Sequence, residues 1–198
     1  GMKDKSLEFA LKSVEIEAAE VARVAEIVRT AEFGQAVDIL SKANKIVTSG
    51  SGGTGVAAKK FAHSLSCIER NGVFLSPAEG MHGGMGVVQE GDAMVVVSKG
   101  GKTAELLPLI DVCKKKGAKL IGVTQNPDSP LAKQADVFLK MDVHHESDRY
   151  DIMATSSVIA LVALFDALQV AIMEETDYKL EQFALIHPGG AVGQKLNQ

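Results

Sequence analysis

Residues 93–103 read Ala93-Met94-Val95-Val96-Val97-Ser98-Lys99-Gly100-Gly101-Lys102-Thr103, and a helical pattern follows from Ala104-Glu105-Leu106-Leu107. Five consecutive apolar residues, three of them valine, predict a short strand buried on both faces. The small and hydroxylated residues behind them predict a turn that opens a helix. Hydroxyls of Ser98 and Thr103, amides at Gly100 and Gly101 and the positive end of the helix would converge there, with Lys99 and Lys102 adding full charges. Such a turn suits a phosphate. The same order recurs upstream: an apolar stretch Lys45-Ile46-Val47-Thr48-Ser49, a turn Gly50-Ser51-Gly52-Gly53-Thr54-Gly55, and a helical pattern from Val56. Two such turns at the C-terminal ends of strands in one parallel sheet predict a ligand crevice. The candidate substrate-binding residues on these two turns are Ser49, Ser51, Gly52, Thr54, Ser98, Lys99, Gly100 and Thr103.

The first turn lacks the Lys-Ser or Lys-Thr ending of a Walker A loop. With its spacing G-x-G-G-x-G it is read as a turn for a single small phosphate ester rather than as a nucleotide fingerprint.

Around the two turns, apolar patterns predict strands at 45–49, 72–76, 93–98, 118–124 and 136–140, separated by helices near 33–43, 54–70, 103–116, 129–134, 152–175 and 179–185. Alternation of this kind specifies an α/β protein, a five-stranded parallel sheet with helices on both faces. At 198 residues the chain suits a single domain, with its core at about 41–196. Leu7, Leu11, Val14, Ala18, Val21, Ala25 and Val28 recur in alternating steps of four and three, which predicts a long N-terminal helix over about 5–30 with a heptad stripe. Ile16, Val24 and Ile27 form a second apolar line. One face then covers the chain's own sheet and the other a sister chain, so a homodimer or homotetramer is expected.

A net charge of −4, with basic residues dispersed except at Lys114-Lys115-Lys116, argues against a nucleic-acid partner. The segment 152–175 approaches the length of a membrane span, but Thr155, Ser156, Ser157, Asp166 and Gln169 within it favour a buried core helix and no membrane. Cys67 and Cys113 have no metal-ligand spacing and read as buried thiols, which suits a reducing, cytoplasmic location. Gly1 before Met2 reads as a scar of tag removal, and Lys3-Asp4-Lys5-Ser6 is not followed by the apolar core of a secretory signal. Long irregular stretches at 76–92 and 142–151 are expected to carry function.

Taken with the two turns, Ser76-Pro77-Ala78-Glu79-Gly80-Met81-His82-Gly83 and Ile186-His187-Pro188-Gly189-Gly190-Ala191-Val192-Gly193 resemble the sugar isomerase (SIS) family, most of all the isomerase domain of arabinose 5-phosphate isomerases. The resemblance runs from about Ser41 to Leu196, and the His-Pro-Gly-Gly-Ala segment is its most specific part. It implies a flavodoxin-like sheet, a sugar phosphate as the small-molecule partner, interconversion of ribulose 5-phosphate and arabinose 5-phosphate without a cofactor, and commonly a tetramer. Position by position it implies Ser51, Ser98 and Thr103 in the sugar-phosphate site, His82 on the pocket wall, and Glu146 and His187 in the chemistry, the histidine often supplied by a neighbouring subunit. With Gln198 as its last residue, the sequence is expected to lack the paired CBS modules that often follow such a domain.

Three positions depart from the family pattern. Its lysine in the first turn falls at Gly53, its glutamate in the second at Lys102, and its second serine there at Gly100. Aldose–ketose isomerisation needs a base to move a proton between C1 and C2, a donor for the enediol oxyanion and an anchor for the phosphate. Glu146 and His187 answer the first need, and Lys102 or Lys99 could supply the charge lost at position 53, so Glu146, His187 and Lys102 are the catalytic candidates. The run His144-His145-Glu146-Ser147-Asp148 invites a metal, yet adjacent histidines on an extended segment point to opposite sides, and no metal is expected. His63 is read as structural. Two further classes stay open: a phosphosugar sensor that binds without turnover, and a lyase or deglycosylating enzyme.

Overall fold

All five residues of the strand at 93–97 are buried, and it forms the centre of the sheet. The computed structural model describes residues 1–102 and 104–198; Thr103, a candidate phosphate ligand, lies outside the described residues. Among those described, strands β1 (Ile46–Ser49), β2 (Gly72–Phe74), β3 (Ala93–Val97), β4 (Lys119–Thr124) and β5 (Val137–Lys140) pair in parallel in the order β2-β1-β3-β4-β5. The helices are α1 (Asp4–Val28), α2 (Ala31–Lys42), α3 (Gly52–Cys67), α4 (Pro77–Gly80), α5 (Leu106–Lys115), α6 (Pro130–Gln134), α7 (Ser156–Glu175), α8 (Leu180–Ile186) and α9 (Ala191–Leu196).

The pleat divides the strand residues between two cores. Ile46, Val95, Ile121 and Leu139 join the side chains of α1, α2, α3 and α7, while Val47, Met94, Val96 and Leu120 join those of α5 and α6. Helices therefore cover both faces. On the first face the rings of Phe61 and Phe165 stack 4.4 Å apart and lock α3 to α7. α7 is long and apolar enough to cross a membrane by composition, but it packs against α1, α2 and α3 as a core helix.

Two boundaries differ from the sequence expectation for identifiable reasons. α5 begins at Leu106 rather than 103, because Pro108 lacks the N–H that an earlier start would require and is tolerated only in a first turn. β2 ends at Phe74, since the Ser76 hydroxyl accepts from the Glu79 N–H at 3.2 Å and caps α4.

The two apolar lines of α1 part company. Val24 and Ile27 are buried against the chain's own core, whereas Leu11 and Val14 of the heptad stripe are 61% and 69% exposed. Cys113 is buried, and burial pushes its thiol up to about 11. Cys67, expected to be buried, is half-exposed instead, with its Sγ 3.5 Å from the exposed His63 Nε2, because the two lie one turn apart at the surface edge of α3.

Candidate functional site

β1 lies between β2 and β3, so the chain leaves it in opposite directions and the loops after β1 and β3 diverge. A crevice opens at that switch point. It is a cleft of about 250 Å³. Ser51, Thr54, Ser98 and Lys99 line one end, where a smaller hollow extends to Gly100; Gln125, Glu146 and Ser157 line the other. Apolar walls come from Val97, Val123, Met141, Val143, Ile152, Val158 and Leu161.

The first end has the chemistry of an anion site. Gly52, Gly53 and Thr54 are the first residues of α3, and their amides have no acceptor within the helix; Ser51 at the N-cap makes no side-chain cap. The Ser98 hydroxyl accepts from the Gly101 N–H at 3.0 Å, which leaves its own proton for a ligand oxygen. The Thr54 hydroxyl donates to the Ser51 carbonyl at 2.7 Å and so braces the turn.

At the other end Glu146 is 4% exposed. Its Oε1 accepts from the amides of Ser157 at 2.9 Å and Thr155 at 3.3 Å and from the Ser156 hydroxyl at 3.3 Å. Its Oε2 accepts from the Ser157 hydroxyl at 2.6 Å and meets the Lys99 Nζ at 3.4 Å. Glu146 thus caps α7 from outside the helix. Burial is the largest influence on its carboxyl and pushes the pKa up, but the Ser157 and Thr155 hydrogen bonds and the Lys99 charge together hold it below the ordinary glutamate value.

Of the candidates, Ser51, Thr54, Ser98, Lys99, Gly100 and Glu146 meet in this cleft. Gly52 faces a separate hollow on the far side of the first turn, toward Phe74 and Pro77. Ser49 is fully buried below the turn, its hydroxyl without a hydrogen-bond partner among the described residues. Lys102 and His82 are exposed and are not among the residues lining the cleft; His82 follows α4, which packs against α5. His187 lies at the opposite end of the chain's own fold. α7 runs 20 residues, about 30 Å, away from the cleft. Beyond it Tyr178 donates to the Cys67 carbonyl at 2.8 Å and Gln182 to Glu69 at 2.5 Å, tying α8 to the far end of α3. The His187 ring stacks on Phe183 at 3.7 Å, and Gly193 lies so close to its carbonyl that a Cβ there would overlap it.

Position 53 explains its own glycine. A Cβ there would come 2.7 Å from Val158 Cγ2 and 3.1 Å from Ala154 Cβ, so α7 fills the space a side chain would need. Among the described residues no three metal-ligating side chains converge. His144 turns to Arg23 and Asp142, and His145 to Asp151. Sequence reasoning misses Ser157 and Gln125, although Gln125 directly follows a strand and Ser157 sits in the Thr155-Ser156-Ser157 helix start, both signals of a site in a parallel sheet.

The SIS domain family model matches residues 39–171. Arabinose 5-phosphate isomerase KdsD of Pseudomonas aeruginosa is 38% identical over 158 residues, which is 80% of this chain and 48% of that protein; KdsD of Escherichia coli K12 is 36% identical over 77% and 46%. The chain spans about half the length of the curated relatives it matches. A Listeria monocytogenes protein proposed to be a sugar-phosphate isomerase superposes with a TM-score of 0.91 at 44% identity, covering 96% of this chain and 100% of that one. An Escherichia coli CFT073 protein in complex with arabinose 5-phosphate gives 0.82 at 26% identity, covering 94% and 100%.

Proposed function

The chain belongs to the SIS domain family, and from that premise we propose that it is a phosphosugar isomerase that interconverts an aldose phosphate and a ketose phosphate, of the arabinose 5-phosphate and ribulose 5-phosphate kind, through an enediol. The observation that carries this is the Lys99–Glu146 pair, 3.4 Å apart where the anion end of the cleft meets its apolar end. The phosphate binds to the first-turn amides of α3 and the Ser98 hydroxyl, and C1 and C2 of the sugar then face Glu146 and its partner Lys99. Glu146 enters the reaction ionised. Its hydrogen bonds make it a weak base at rest. When Lys99 turns to the developing enediolate oxygen, Glu146 loses a stabilising charge and gains basicity at the moment it takes the proton. Lys99 thereby does the work of the lysine missing at Gly53; Lys102, on the exposed loop, serves the outer phosphate oxygens.

His187 is too far from its own cleft to act there, so in this reading it serves the cleft of another copy, and the exposed Leu7, Leu11 and Val14 of α1 belong to the contacts of a homodimer or homotetramer. The cytoplasm, where sugar phosphates are handled, is the matching compartment. A sensing role is favoured by two observations: Val158 and Ala154 close off position 53, and the Glu146 carboxylate already has a full set of donors. Incubation with arabinose 5-phosphate in D₂O separates the two. Deuterium at C1 or C2 of the sugar, read by NMR, is the expected result; thermal stabilisation by the sugar phosphate with no exchange would make the protein a sensor.

A further inference from the structure

One face of α1 grips the segment that carries Glu146 at three points. Ser13 donates to the Ser147 hydroxyl at 2.8 Å. Seven residues on, and therefore on the same face, the Glu20 carboxylate accepts from the His144 amide at 3.0 and 3.1 Å and from the His145 amide at 3.3 Å. Arg23 pairs with Asp142 at 2.7 Å. Glu20 is 4% exposed and occupies a position between Ile16 and Val24 in the line that otherwise buries apolar side chains. Burying a carboxylate there is unfavourable unless its lone pairs are used. They are used on the two peptides immediately before Glu146, while the amide of Glu146 itself goes to Asp151 at 2.5 Å and that of Ser147 to the Thr155 hydroxyl at 2.8 Å.

We propose that Glu20 is a positioning residue for Glu146: it fixes the peptides of His144 and His145 so that the Glu146 carboxylate stays registered with Ser157 on α7 and with Lys99 across the cleft. The cleft carboxylate is thus set by the N-terminal helix, an element that does not line the cleft. Its kinetic consequence rests on the isomerase reading; its structural consequence does not. The charged groups facing the pair are Lys99 and Asp151 around Glu146, with the His145 ring on the far side of Asp151, and Arg23 beside Glu20, itself held by Asp142 and the His144 ring.

The test uses the full chain with Glu20→Ala and Glu20→Gln, and with Ile27→Ala as a control that loosens the same helix two turns away. Titration of the Glu146 side-chain carboxyl carbon by ¹³C NMR reads the registration directly. The expected midpoint moves to higher pH in Glu20→Ala, moves less in Glu20→Gln, which keeps one acceptor oxygen, and stays put in Ile27→Ala. An unchanged midpoint in Glu20→Ala, or an equal rise in Ile27→Ala, overturns the proposal; if Glu20→Ala fails to fold, the Gln variant decides by the same criterion. With arabinose 5-phosphate as substrate, kcat of Glu20→Ala should fall at least about tenfold with KM within about twofold, and an unchanged kcat overturns the kinetic half. A shifted midpoint in a protein whose wild type turns over no sugar phosphate would leave the positioning intact and sink the isomerase reading instead.

Discussion

Two helices begin at the same cleft and treat their N-termini in opposite ways. α3 opens with Ser51 making no side-chain cap, and Gly53 and Thr54 of its first turn line the anion end. α7 opens against the Glu146 carboxylate, which takes the amides of Thr155 and Ser157. Both ends carry the same partial positive charge. One is already neutralised by an anion of the chain, and the other is left for an anion from solution. The difference teaches that a helix N-terminus becomes a ligand site by what the sequence withholds: a small N-cap that does not bond back, followed by two glycines.

Removing the internal anion is the strongest way to break this contrast. Glu146→Gln should lower deuterium exchange into arabinose 5-phosphate by at least about a hundredfold while ligand affinity stays close to wild type, if the phosphate binds at α3 as proposed; a comparable loss of affinity would mean that both helix ends bind the ligand. Crowding the boundary between the helices comes next. Gly53→Ala sets a Cβ against Val158 and should destabilise by up to about 3 kcal/mol in denaturant melts, with most of that regained in the double variant Gly53→Ala/Val158→Ala. Additive losses would place the strain elsewhere.

A smaller change sharpens the open end. Ser98→Ala removes a donor to a charged acceptor and should weaken phosphosugar binding by about 1.5 kcal/mol in calorimetry, without changing affinity for the unphosphorylated sugar. The smallest effect is on stability against pH. Because Glu146 is held below the ordinary carboxylate range when folded, its stabilisation is fully present above its unfolded pKa of about 4.3 and is lost as the pH falls through the lower folded value. The wild type should exceed Glu146→Gln by about 1 kcal/mol at neutral pH, the scale of a helix cap, and the two should converge in acid. A gap that persists in acid would show that the cap does not depend on charge.

The sheet is legible in the sequence because short apolar runs set between helical patterns admit few alternatives. β3 and the turn at 98–101 stand where Ala93–Gly101 predicts them. The start of α5 is set by Pro108, a mark the sequence does carry but that the apolar periodicity from Ala104 does not weigh. The site is half legible. Ser51, Ser98 and Lys99 can be found because they follow strands, and Glu146 through the family resemblance; Ser157 carries a signal in its hydroxyl-rich helix start, but the Val158 side chain enters only through the crossing of α7 over α3, and a sequence does not display a tertiary crossing. Glu20 is invisible for a different reason: an acid in an amphipathic helix reads as solvent-facing, and only the path of the 142–148 segment turns it inward.

The contact between positions 53 and 158 also orders the substitutions open to this chain. A lysine can enter position 53 without strain only after Val158 has become smaller, because its first side-chain atom already meets the valine methyl. The reverse order passes through a strained protein. Val158 therefore works as a ratchet: while it fills the space, a cleft with its lysine on the first turn is two changes away in a fixed sequence.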